Sequence, residues 1–148
     1  MLSTSCGLNK VKTRSGTVGA ALVVALLAGM GCGPDPSSAR GMAERFLDAH
    51  YVRIDLPASS ELTSGVAHQK VDDEIALTRG VAIDAATRQP TIHYRLEEER
   101  DGGDGATRFV YRLTIVPDDA DRFHRRVLLT LRRADEGWTV SNYEESAG

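Results

Sequence analysis

Arg108-Phe-Val-Tyr-Arg-Leu-Thr-Ile115 decides the fold class. Phe109, Tyr111, Leu113 and Ile115 alternate with Arg108, Val110, Arg112 and Thr114. Side chains point to opposite faces of a strand with period two, so the segment reads as a strand with one apolar face. The same alternation recurs on both sides of it. Upstream, Ile92, Tyr94 and Leu96 alternate with His93, Arg95 and Glu97. Downstream, Val127, Leu129 and Leu131 alternate with Arg126, Leu128, Thr130 and Arg132, and Trp138, Val140 and Asn142 alternate with Thr139, Ser141 and Tyr143. Asp101-Gly-Gly-Asp-Gly105, Pro117-Asp-Asp-Ala-Asp121 and Asp135-Glu-Gly137 separate the segments. Loops this short join antiparallel neighbours, which predicts a meander of strands. An antiparallel sheet with one apolar face requires a second layer, most simply helices.

Before Pro90 the period is 3.6. Ser38 is placed to cap a helix from Ala39, in which Ala43, Phe46, Leu47, His50, Tyr51 and Ile54 make one apolar stripe. Asp55-Leu-Pro57 stops that helix and caps a short one reaching about Thr63, closed by Ser64-Gly65. Ala67, Val71, Ile75 and Thr78 predict a third helix ending at Gly80. Val81-Ala-Ile83 fits a short strand or a helical continuation equally well. The expected class is therefore α+β, with N-terminal helices packed on a curved four-stranded antiparallel sheet.

Helices followed by such a sheet resemble the NTF2-like (cystatin-like cone) superfamily. Arg132-Arg-Ala-Asp-Glu-Gly-Trp-Thr-Val140 is similar to the last hairpin of those domains, and Ala43-Glu-Arg-Phe-Leu-Asp-Ala49 to their first helix. The resemblance spans roughly residues 39–145, within a domain expected over residues 39–148. It implies a cone with a pocket inside and, where members are enzymes, an acid–base residue within it.

The start of the chain concerns location. Lys10, Lys12 and Arg14 precede Val18 to Met30, an uncharged run. A bilayer core needs about 20 apolar residues in a helix, so this run suits a signal-peptide core better than a span. Gly29-Met30-Gly31-Cys32 follows, and here the sequence resembles a bacterial lipoprotein signal. The resemblance implies removal of residues 1–31, a diacylglyceryl group on Cys32, and residues 32–38 as anchor and tether. Gly29 departs from the pattern, which usually has Leu at that position, and Gly29-x-Gly31 also fits ordinary cleavage. Gly33 stands after the Cys rather than Asp, which implies the outer membrane over the inner.

Residues 1–31 hold three cations and no carboxylate. The whole chain has 18 Lys and Arg against 21 Asp and Glu, so the remainder is more acidic still, at −6. Export and that charge argue against nucleic acid as a partner. The remainder is one domain's length. Cys6 lies in the leader and Cys32 is the anchor, which leaves the domain no thiolate for catalysis or metal.

His50 is the candidate acid–base group of the helical stripe, although a lone His without an oriented partner is more simply one bonded to a backbone carbonyl. Tyr94, Tyr111, Trp138 and Asn142 share the inward parity and are candidates, with His50, to line a pocket; the simpler account is core packing. The opposite face carries Arg95, Arg108, Arg112, Arg126 and Arg132, a candidate anion-binding face or else a solvated one paired with Glu97. Asp101-Gly-Gly-Asp-Gly105 lacks the spaced oxygens of a calcium loop, and His68, His93 and His124 lack metal-ligand spacing. No metal or cofactor is expected. The inward positions contain no carboxylate to orient His50, and Asp48 points about 200° away on a regular helix. The expected function is a lipid-anchored envelope protein, a non-enzymatic binding or accessory module whose partner is an envelope protein or a small apolar ligand. The alternative is an isomerase- or hydrolase-type enzyme using a cone pocket around His50.

Overall fold

A computed structural model describes residues 34–81 and 89–148. The leader, Gly33 and Cys32 lie outside the described residues, as do residues 82 and 83 of the ambiguous Val81–Ile83 segment. Val81 itself is in no strand or helix.

Pro34 to Ser38 are not the extended spacer that two prolines suggest. The Asp35 side chain accepts from Ser37 N and Ser37 Oγ at 2.9 and 2.8 Å, and its carbonyl accepts from Ser38 N at 2.9 Å. These bonds form an Asx-type turn. A Cβ on Gly41 would lie 2.1 Å from the Asp35 carbonyl oxygen, so the turn packs directly on the helix backbone and needs glycine there. Ser38 then caps α1 (Ala39–Leu47), its hydroxyl accepting from Gly41 N at 3.0 Å.

The stripe was expected to run to Ile54 on a regular helix. Instead α1 passes at Asp48 into a π-turn, Asp48–Val52. The wider turn inserts one residue, so Ala49 is buried as well as His50. Ile54 follows with φ +53°, a conformation that β-branched residues rarely take. Asp55 caps α2 (Leu56–Ser60) through Ala58 N at 3.1 Å, with Pro57 in the first turn. α3 is Gly65–Leu77, somewhat shorter than its apolar spacing suggested.

The strands are β1 (Thr91–Gly103), β2 (Ala106–Val116), β3 (Phe123–Ala134) and β4 (Gly137–Ala147), antiparallel in the order β1-β2-β3-β4. Asp104 and Gly105 turn the first hairpin with φ +49° and +72°, the positive angles a tight hairpin demands. The segment after α2 lies along β4. Ser64 N donates to the Val140 carbonyl at 2.9 Å, and Val140 N to that of Leu62 at 3.0 Å. That pairing satisfies part of an edge strand.

The inner face of the sheet is the core. Phe109, Tyr111 and Leu113 of β2, Val127, Leu129 and Leu131 of β3 and Val140 of β4 are buried under Ala43, Phe46 and Leu47 of α1 and Ala67 and Val71 of α3. Ile92, Tyr94 and Leu96 of edge strand β1 are half-buried against that cluster, as are Ile115 and Trp138. The parity expected for β1 to β3 is therefore the observed one, but β4 departs from it. Leu131 pairs with Val140 and Thr130 with Asn142, so one extra residue is inserted between them. A bulge of this kind reverses the parity beyond it. Tyr143 points into the core and Asn142 does not, the opposite of the expectation.

Leu129 is buried and its neighbour Leu128 lies half-buried on the outer face. Leu129→Ala is expected to cost about 2–5 kcal/mol, and Leu128→Ala clearly less. Urea denaturation of the two variants checks this; equal losses would mean that a second layer covers the outer face.

Candidate functional site

The bulge in β4 gathers the polar groups of the inner layer around His50. Phe46 stacks on the His50 ring at 5.0 Å between centroids, with Tyr51 at 4.6 Å and Tyr143 at 5.2 Å on other sides. Nε2 of His50 lies 3.4 Å from Glu74 Oε2, and Nδ1 lies 3.4 Å from Ser59 Oγ. Ser59 Oγ donates its one proton to the Leu56 carbonyl at 2.9 Å, which makes it the acceptor for Nδ1–H. A second ring proton would then sit on Nε2, facing Glu74. Tyr143 Oη donates to the other Glu74 oxygen at 2.5 Å. Tyr51 Oη donates to Glu145 Oε1 at 2.9 Å, and Arg125 reaches Glu145 at 3.7 Å.

The inward strand positions and the α1 stripe contain no carboxylate, yet His50 has one beside it. Glu74 comes from α3, one position before Ile75 of that helix's apolar stripe, and enters from the side. Asp48 does point elsewhere, pairing with Arg53 at 2.7 Å. Burial lowers the His50 pKa from 6.5, opposed by the charges of Glu74 and then Glu145. Burial likewise raises the Tyr51 and Tyr143 hydroxyls, and their carboxylate partners push the same way. At neutral pH the cluster therefore holds a neutral imidazole and two neutral phenols.

A cleft of about 370 Å³ opens beside this cluster. Ile54, Leu56, Leu77 and Ile92 give it apolar walls, and Glu74, Thr78 and the edges of His50 and Tyr51 supply its polar points. The Glu74 side chain is 39% exposed and the His50 side chain only 5%. The strained Ile54 lies on the cleft wall, where backbone strain is often stored.

The other expected pocket residues are elsewhere. Tyr94 and Tyr111 meet edge to face at 6.0 Å. Tyr94 lies beside Pro34, Pro36 and α1, while Tyr111 is fully buried. Trp138 sits at the hairpin end under the Arg133 guanidinium, 5.8 Å from its ring. Asn142 accepts from Lys70 Nζ at 3.0 Å. Lys70 also donates to the Tyr143 carbonyl at 2.6 Å and lies 5.1 Å over the Tyr143 ring. It thereby clamps the bulge. Tyr51, Ser59, Glu74, Tyr143 and Glu145 were not singled out from the sequence.

On the outer face Arg95, Arg112 and Arg126 stand in one cross-strand row. Glu97, the extra residue of a bulge in β1, accepts from Arg112 Nε at 2.5 Å and from Arg126 Nε at 2.9 Å. The Arg112 bond holds the Glu97 carboxyl below the usual range, with Arg126 adding to it. Arg132 donates to the Asp104 carbonyl at 3.2 Å, and Arg108 is further along β2, opposite Arg100. Among the described residues no three His, Cys, Asp or Glu side chains group as metal ligands. No described helix is long and apolar enough to cross a membrane.

Because the folded pKa of His50 lies below its unfolded value, the unfolded chain takes up the proton first as pH falls. The stability due to neutral His50 is complete above about pH 6.5 and declines below it, before most carboxylates titrate. Urea midpoints at pH 7.5 and 5.5 should therefore differ in the wild type and differ less in His50→Gln. An unchanged difference would mean that His50 is not held neutral by burial.

No family model matches the chain, and no curated protein matches it. Solved structures do. A candidate calcium/calmodulin-dependent protein kinase type II association domain from Thiobacillus denitrificans is 10% identical, with a TM-score of 0.59 over 78% of this chain and 99% of its own. A ketosteroid isomerase-like protein from Erwinia carotovora atroseptica is 15% identical, with a TM-score of 0.53 over 78% and 98%. An NTF-2 like protein of unknown function from Shewanella oneidensis is 12% identical, with a TM-score of 0.53 over 72% and 94%. Identities this low speak to fold alone. With its helices on one side of a curved four-stranded antiparallel sheet, this chain has the NTF2-like fold.

Proposed function

We propose that this chain is an exported envelope lipoprotein, anchored through Cys32, whose NTF2-like domain binds a small apolar ligand without transforming it. The anchor reading rests on the order of residues: Lys10, Lys12 and Arg14, then an uncharged run, then Gly29-Met30-Gly31-Cys32. Two acyl chains on one residue give stable membrane attachment, where one holds only marginally.

The binding reading rests on the His50 environment. Both ring nitrogens are directed at protein groups, Ser59 and Glu74, and the side chain is almost wholly buried. A general base must reach the substrate proton within hydrogen-bond distance. His50 instead serves as a wall beside an apolar cleft. A ligand fitting that cleft has an apolar body of modest size and one hydrogen-bond donor for the exposed Glu74 oxygen.

The enzyme reading has one observation in its favour, the His50–Glu74 contact, since a carboxylate that orients an imidazole is a common catalytic pairing. It would require His50 to turn toward the cleft, away from the rings of Phe46, Tyr51 and Tyr143.

Two experiments separate these readings. In membrane fractionation, Cys32→Ala should move the protein to the soluble fraction; a wild type that is already soluble after export contradicts the anchor. For the cleft, an apolar fluorescent probe such as N-phenyl-1-naphthylamine should bind the wild type. Leu77, which lines the cleft and is 84% exposed, can be changed without disturbing the core. Losing its apolar contact should cost about 1.5 kcal/mol, so Leu77→Asp should bind the probe roughly tenfold more weakly. Probe affinity unaffected by Leu77→Asp would remove the cleft from the account, and isomerase or hydrolase turnover lost in His50→Gln would establish the enzyme reading instead.

A further inference from the structure

Pro34 and Pro36 line a recess of about 290 Å³ together with Tyr94 of β1 and with Gly41, Glu44, Arg45 and Asp48 of the first helical stretch. Tyr94 also walls a shallow groove of about 330 Å³ on the outer face, with His93, Arg95, Arg112, Thr114 and His124. The tether and the groove thus meet at one tyrosine. The tether is fixed there by the Asp35 turn and its close approach to Gly41. Cys32 is two residues before Pro34, a reach of at most roughly 7 Å.

The groove differs from the rest of this acidic chain. His93, Thr114 and His124 form one cross-strand row, and Arg95, Arg112 and Arg126 form the next. Glu97 engages Arg112 and Arg126, each through Nε only, which leaves their terminal nitrogens available. Arg95 makes no ion pair among the described residues. No carboxylate lines the groove. Asp118, Asp119 and Asp121 lie in the β2–β3 loop beyond it and bound the cationic patch at that end.

We propose that this groove is a membrane-contact site for the phosphate of anionic phospholipid headgroups. It rests on the anchor reading, because an acyl group on Cys32 brings the β1 edge to the bilayer surface. Surface potential acts within a Debye length, about 8 Å at physiological salt, so only cations held close to the bilayer feel it. Arg95 follows Tyr94 directly in β1, the residue at which the recess beside the tether and the groove adjoin. Guanidinium forks suit phosphate oxygens, and in the adjoining row Thr114 Oγ1 lies 3.2 Å from His124 Nδ1. The domain is thereby oriented with its outer face on the lipid and its cleft turned away from the sheet's outer side.

The test uses Gly33–Gly148, which lacks the leader and Cys32. All described helices and strands lie within Cys32–Gly148, a compact unit in itself, so the segment carries its own core. Sedimentation with phosphatidylcholine vesicles, and with vesicles that also contain phosphatidylglycerol, measures binding. The expected result is binding to the mixed vesicles alone, declining with salt. Arg95→Glu should weaken it roughly thirtyfold, since each surface cation contributes about 1 kcal/mol, reversal counts twice, and about 1.4 kcal/mol is tenfold. Arg79→Glu, the same charge change on an exposed residue beyond α3, should leave it nearly unchanged. Equal binding to both vesicle types, or an equal loss in Arg79→Glu, overturns the proposal. So does saturation by inorganic phosphate with no vesicle binding, which would mark a soluble-anion site. The anchor is judged separately by the acylation of Cys32 in the full chain. Vesicle binding without acylation overturns the anchor alone; acylation without vesicle binding overturns the groove alone.

Discussion

One inserted residue in β4 sets the chemistry of the inner layer. Up to Val140 the strand follows strict alternation, and without the bulge Asn142 would face the helices. The insertion turns Tyr143 inward instead, onto Phe46 and His50, with its hydroxyl on Glu74. The bulge is held from above. Lys70 of α3 binds the Asn142 side chain and the Tyr143 carbonyl, on the two residues that follow the inserted Ser141. Helix α3 therefore contributes both the clamp, Lys70, and the carboxylate, Glu74, four residues apart on neighbouring turns. Glu145 follows Tyr143 by two residues and reaches Tyr51 by the same restored alternation.

The architecture was legible because it depends on periods that many residues repeat. Four alternating segments gave the sheet, and the spacing from Ala43 to Ile54 gave the first helix and the burial of His50. What could not be read were the single insertions. The bulges at Glu97 and in β4 and the π-turn at Asp48–Val52 each add one residue, and nothing in the local pattern marks where. Two of them moved residues from their expected faces: Asn142 and Tyr143 exchanged faces and Ala49 joined the core, while Glu97 stays on the outer face beside the arginines, where it engages two of them at once. Glu74 escaped for a different reason. It sits beside an apolar stripe rather than on it, and its nearness to His50 exists only once α3 is packed.

The candidate pocket was scattered for a related cause. Shared parity places residues on one face, but position along the strand decides whether they meet. Tyr94 and Tyr111 lie under α1, Trp138 lies at a hairpin end, and His50 lies toward α3. The imidazole and the two phenols of the cluster are neutral at physiological pH and engaged with Ser59, Glu74 or Glu145, a state better suited to rigid walls than to proton transfer. The two faces of the sheet then divide the labour proposed for the molecule. The inner layer shapes an apolar cleft, and the outer layer presents a groove lined by Arg95 and Arg112.

The placement of Tyr143 is the claim on which this account most depends. Proton cross-relaxation between aromatic rings measures it directly in solution. The account predicts cross-peaks from the Tyr143 ring to the rings of both Phe46 and His50, whose centroids lie 5.3 and 5.2 Å away. Cross-peaks from the Asn142 side chain to the His50 ring, with Tyr143 showing none, would mean that β4 keeps its alternation and would contradict the account.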